Sequence, residues 1–152
     1  MKLSGLCTVP IDRERAYQLL QDPAVLARAM PGCQHLELVG PDEYEMRMKM
    51  VISSMQGLFA GKVRLADRVP PESFRLIVEG SGKIGFMKGD GVLRLAPRYT
   101  STDISYEGEV QVGGMIAGVG QRLIDTTSRF LIKKFFERLT ALAAEQMPQA
   151  AD

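Results

Sequence analysis

The chain has 152 residues, with 19 Lys and Arg against 18 Asp and Glu, one His, two Cys and no Trp. That length suits one domain with a real core and no disulfide staples. A formal charge of +1 argues against a general nucleic-acid binder, which needs a basic face for phosphates. One His and two distant Cys nearly exclude a zinc site, which needs three or four N/S ligands. At 45% apolar and 24% charged residues the chain is not disordered. Gly 15 and Met 9 stand out, because glycine lets backbone bend and methionine fills irregular apolar space.

Leu3, Leu6 and Val9 suggest a first strand, stopped by Pro10. Asp12 can cap a helix over Arg13–Leu20, and Asp22-Pro23 starts a second, Ala24–Met30, which ends before Pro31-Gly32. The period then becomes two. Cys33–Val39, Tyr44–Met50, Leu58–Asp67, Phe74–Gly80, Gly85–Leu95 and Thr102–Val112 read as strands, with Gly89-Asp90-Gly91 as a break in the fifth of these. Asp103, Glu107 and Glu109 fall on a solvated strand face. From about Met115 the period returns to 3.6. The apolar stripe Val119, Leu123, Thr127, Phe130, Leu131, Phe135 and Leu142 predicts one helix to about Gln146, roughly 45 Å long. Its only partner of sufficient size is the inner face of the sheet.

No signal-peptide core or membrane-length apolar run occurs, so a soluble cytoplasmic protein is expected. Cys7 and Cys33 read as buried thiols in a reducing compartment. The expected organisation is a single domain over 1–147 and a frayed tail over 148–152.

Gly80-Ser81-Gly82-Lys83-Ile84-Gly85 matches the dinucleotide fingerprint. That chemistry needs a helix N-terminus after the loop, and a strand pattern follows instead, so the glycines read as hairpin turns and bulges. His35 has no nucleophile or ligand partner in sequence and reads as structural. Met46, Met48 and Met50 share one strand face, and Met87 and Met115 are expected to point to the same interior. Twelve of the 15 glycines lie between Gly57 and Gly120, with Gly61, Gly80 and Gly108 at inward positions. Missing side chains in a bent sheet under a helix are expected to leave an apolar cavity. The segment Gly113–Gly120 would make the first helical turns a loose gate.

The order strand, two short helices, sheet, long helix resembles the START-like helix-grip superfamily. Within it, Asp22-Pro23 through Met30-Pro31-Gly32-Cys33, Phe59–Val63 with Asp67 and Pro70-Pro71, Gly80-Ser81-Gly82 with Gly85-Phe86 and Gly89, Val112-Gly113-Gly114, Gly118–Arg122 and Phe135-Phe136 are similar to the family of CoxG, a subunit of carbon monoxide dehydrogenase. The resemblance implies an α+β helix-grip fold, a curved antiparallel sheet of about six or seven strands around the terminal helix. It also implies a non-catalytic carrier of a quinone or other lipid-like molecule, linked to a molybdenum-containing carbon monoxide dehydrogenase and to its recruitment to the membrane. Many members carry an apolar anchor after the domain, and this sequence departs there. The expectation is therefore a soluble carrier, serving that enzyme or a related hydroxylase, with at most peripheral membrane contact and with a homodimer left open.

Met48, Met50, Phe59, Met87, Tyr106, Ile116, Val119 and Leu123 are the expected pocket lining, with Tyr106 as the polar handle for a carbonyl. No metal and no obligatory cofactor is expected. Two alternatives stay open: a cyclase or hydrolase pairing Tyr106 with Asp90 or Glu109, and an assembly factor acting through its surface.

Overall fold

A computed structural model describes the backbone of residues 1–146 and the side chains through Glu145. The expected tail, 148–152, lies outside the described residues. Seven strands form one antiparallel sheet: β1 (Lys2–Val9), β2 (Cys33–Gly40), β3 (Glu43–Ile52), β4 (Met55–Val69), β5 (Ser73–Gly82), β6 (Gly85–Arg98) and β7 (Ser101–Gly113). Their spatial order is β1-β7-β6-β5-β4-β3-β2. Every consecutive pair from β2 to β7 is a hairpin, and β1 adds to the far edge beside β7.

The two short helices, α1 (Arg13–Gln21) and α2 (Pro23–Ala29), carry the chain from the β1 edge to the β2 edge. Their starts follow from local chemistry. The Asp12 carboxylate accepts from the Arg15 N–H at 2.9 Å, and the Asp22 carboxylate accepts from the Ala24 N–H at 2.9 Å, with Pro23 in the first helical turn. Tyr17 of α1 donates its hydroxyl to the Ser73 carbonyl at 2.9 Å and meets the Phe74 ring edge-on at 5.7 Å. Thr102 is the one buried polar residue among those described, and its hydroxyl donates to the Ile11 carbonyl at 2.6 Å. Thr102→Val leaves that carbonyl without its partner in the core. It is expected to lower stability by about 1–3 kcal/mol, read as a lower urea midpoint at unchanged slope.

Period two sorts the sheet faces as the sequence predicts. Tyr44, Met46, Met48 and Met50 of β3, and Phe59, Val63 and Leu65 of β4, are buried on the concave face. The convex face carries ion pairs such as Arg94–Glu107 (3.0 Å), Arg98–Asp103 (3.6 Å) and Arg75–Asp90. These are exposed and add little stability.

Four expectations change. First, β6 is unbroken, because Gly89, Asp90 and Gly91 stay in register with both neighbours. Second, the inward glycines mostly do not leave volume. Gly61 faces Gly80 and Gly91 faces Gly108 across strand pairs. A Cβ on Gly61 would lie 1.8 Å from the Glu79 carbonyl oxygen, and one on Gly108 2.5 Å from that of Asp90. These glycines let adjacent backbones close up so that the sheet can coil. Third, inward residues of β1 are Leu3, Gly5, Cys7 and Val9, so Leu6 faces solvent at 63% exposure, and Met115 and Phe130 are also exposed. Fourth, the expected single long helix is two pieces: a 3-10 turn over Met115–Val119, then α3 over Gln121–Gln146. Gly114 (φ 80) and Gly120 (φ 97) flank the turn in conformations that other residues rarely adopt.

Candidate functional site

The core is uneven along α3. Its fully buried side chains, Phe136, Leu139, Leu142 and Ala143, all lie in the second half, where α3 packs on α2 and the sheet. In the first half Leu123, Ile124, Leu131 and Ile132 touch the core but stay half-buried. The same is true of several residues of the concave face, including Leu76, Val78, Met87, Leu93 and Val112. Apolar side chains that face inward yet keep accessible surface mark a space that is not filled. The closest backbone approaches of α3 to the sheet among the described residues are to β1 and β3, near its two edges. The helix thus spans the concave face like a beam.

Gly89 outlines the space from below. It lies at an inward position of β6, between Val78 and Val110 in register. A Cβ built on it meets nothing within 4 Å. Of the inward glycines, Gly89 is the one that leaves open volume.

Two open clefts flank the first half of α3. One, of about 350 Å³, lies between the start of α3 and β7, lined by Val110, Val112, Phe86, Gln111, Gln121, Ile124 and Met1. The other, of about 360 Å³, lies between α3 and β3, lined by Met48, Lys49, Met50, Val51, Thr127, Phe130, Leu131 and the Pro31-Gly32 turn. Both sizes fall in the range of small-molecule sites.

The eight expected lining residues do not gather in one place. Met48 and Met50 line the β3-side cleft. Met87 neighbours Val112 across β6–β7, beside the other cleft. Phe59 is fully buried under Met46 and Gly80 and belongs to the packed floor. Ile116 is buried too, where its N–H donates to the Ile84 carbonyl at 2.9 Å and pins the 3-10 turn to the β5–β6 hairpin. Val119 and Leu123 are half-buried against the core and line neither cleft. Tyr106 stacks on Phe136 at 6.3 Å, its ring flat against Gly5, and lines neither cleft. Gln111, Gln121, Ile124, Thr127, Phe130 and Leu131 were not among the expected residues. The sequence marks Phe130 and Leu131 as apolar, but not which side of the beam they occupy.

The enzyme pairing is not assembled. Asp90 and Glu109 lie on the convex face, across the sheet from the Tyr106 ring. Arg75 holds the Asp90 carboxyl below its usual range, so it is engaged as a carboxylate there. His35 sits beside Glu37 at 3.1 Å on the edge strand β2. The thiols of Cys7 and Cys33 are free and half-buried, and burial pushes both above their ordinary pKa. Among the described residues no three His, Cys, Asp or Glu side chains converge, and no helix is long and apolar enough to cross a membrane. The Gly80–Gly85 motif is the β5–β6 hairpin, followed by a strand.

A family model for CoxG, a subunit of carbon monoxide dehydrogenase, matches residues 5–144. The chain belongs to the CoxG family. A search of curated proteins returns no match. Among solved structures, a conserved protein from Geobacillus kaustophilus superposes with TM-score 0.92 at 29% identity, covering 95% of this chain and 96% of that one. A START superfamily protein from Mycobacterium smegmatis gives TM-score 0.74 at 12% identity, covering 96% and 99%. The Zhui aromatase/cyclase from Streptomyces sp. R1128 gives 0.68 at 10%, covering 99% and 98%. The last two show the shared fold alone. This CoxG chain therefore has the START-like helix-grip architecture, with two open clefts beside the first half of its long helix.

Proposed function

We propose that this CoxG chain is a non-catalytic carrier that shelters a quinone or similar isoprenoid or lipid-like molecule under the first half of α3. In this reading it is a cytoplasmic accessory to a carbon monoxide dehydrogenase or a related molybdenum hydroxylase. The observation that carries the reading is Gly89, whose inward position is empty in a floor of half-buried apolar side chains. Apolar surface left accessible inside a domain is a standing driving force for an apolar guest, on the order of 25 cal/mol per Å² before the costs of association. The family name supports the enzyme partner. Placement of Asp90 and Glu109 on the far face supports binding over acid–base chemistry.

Purified protein is extracted with organic solvent, and the extract is analysed by mass spectrometry. The expected result is a stoichiometric quinone or isoprenoid lipid, restored when the stripped protein is given a quinone. An empty extract together with no uptake of added quinone would sink the proposal. Pull-down of a molybdenum hydroxylase tests the partner separately.

A further inference from the structure

The two clefts share one stripe of α3. Ile124 lines the β7-side cleft and Leu131 the β3-side cleft, and they are seven residues apart. Seven residues make nearly two turns, so both side chains leave the same face of the helix, about 10 Å apart along it. On the β3 side, Met48 and Met50 are inward residues at 6% and 8% exposure and still line the cleft, so that cleft reaches the concave face. Phe130 and Val51 stand exposed at its rim. The chemistry of the two ends differs. On the β7 side Gln121 brings an amide to the start of α3, Gln111 being an outward residue of its strand, while Met48, Met50, Val51, Phe130 and Leu131 make the β3 side a slot for hydrocarbon.

From this we infer that the ligand is an elongated amphiphile lying beneath the first half of α3. Its polar end meets Gln121 at the β7 side, and its chain runs out through the β3-side slot past Phe130. This rests on the carrier reading above and adds a direction, a chain-length preference and two specificity residues. Gln121 replaces Tyr106 as the polar handle. The Gln121 amide suits a neutral carbonyl or hydroxyl head, since a Gln side chain can donate or accept.

The test uses the full chain and a series of dimethoxy-methyl-benzoquinones carrying no, one, two or four isoprenoid units, with affinity read by quenching of tyrosine fluorescence and by calorimetry. Affinity is expected to rise at least about tenfold per unit until the slot is filled. In Phe130→Asp and Val51→Asp the gain with chain length is expected to vanish, while the affinity for the shortest quinone stays within about threefold. Gln121→Leu is expected to weaken every member of the series by a similar factor. A wild-type affinity independent of chain length, or a Phe130→Asp protein that keeps the full gain, overturns the inference and leaves the carrier reading standing. No binding by any member defeats the carrier reading itself. Circular dichroism of each variant verifies that the fold is intact, which exposed Phe130 and Val51 make the expected result.

Discussion

Gly61→Ala unfolds the protein at a temperature roughly 6–12 °C below the parent. The added methyl would stand 1.8 Å from the Glu79 carbonyl oxygen and 2.5 Å from the Gly80 Cα, both backbone atoms of the paired strand. No rotamer relieves such a contact, so β4 and β5 must separate at this register pair. That places the cost at about 3 kcal/mol or more, among the large effects a point substitution produces. The control is Gly80→Ala, across the same register pair. Its methyl would meet the Phe59 Cβ and the Ala60 carbonyl at 3.6 Å, ordinary contact distance. Gly80→Ala is therefore expected to melt within about 2 °C of the parent. Equal melting temperatures for the two variants would refute the assignment of Gly61 to close strand approach.

The second large effect is on binding. Gly89→Phe is expected to fold with a melting temperature at or slightly above the parent, because its Cβ meets nothing within 4 Å and an aromatic residue suits a strand better than glycine. The ring would occupy the space beneath α3, covering the apolar floor that a ligand would otherwise cover. Co-purified lipid and uptake of added quinone should both fall by at least about a hundredfold, the scale of losing a few kcal/mol of apolar burial. Gly89→Ala fills little and is expected to bind like the parent. A stable Gly89→Phe protein that still carries ligand would move the binding site away from the concave face. Melting and binding together separate this result from simple unfolding.

The two glycines carry the same letter in the same kind of strand and have opposite roles. Periodicity reads Gly61 as a missing side chain and hence as cavity, and reads Gly89 as part of a strand break, yet both sit at inward positions of unbroken strands. The difference lies in the partner strand. At Gly61 the backbone of β5 has moved into the vacancy, whereas at Gly89 nothing has. How closely two strands approach depends on the coil of the whole sheet, which no local window contains. The methionines divide for a similar reason. Met46, Met48 and Met50 alternate faultlessly and are buried as expected, yet Met115, also read as inward, is 61% exposed. Its 3-10 turn follows a different period from the α-helix assumed for it.

What the residues determined by themselves was local and periodic. Caps at Asp12 and Asp22, the proline at the start of α2, the change from period 3.6 to period two and back, and the sorting of Met and charged residues to opposite faces all act within a few residues. Together they specify one antiparallel sheet, its two short helices and a terminal amphipathic helix, and they place the chain in its family. Which inward residues surround a site was decided only by tertiary structure. The second half of α3 is held by Phe136, Leu139, Leu142 and Ala143, while the first half bridges the concave face with its apolar residues half-covered. That inequality is set by the curvature of seven strands and the length of the beam across them. It leaves Tyr106 lining neither cleft, places Gln121, Ile124 and Leu131 along the two clefts, and leaves the inward position of Gly89 open.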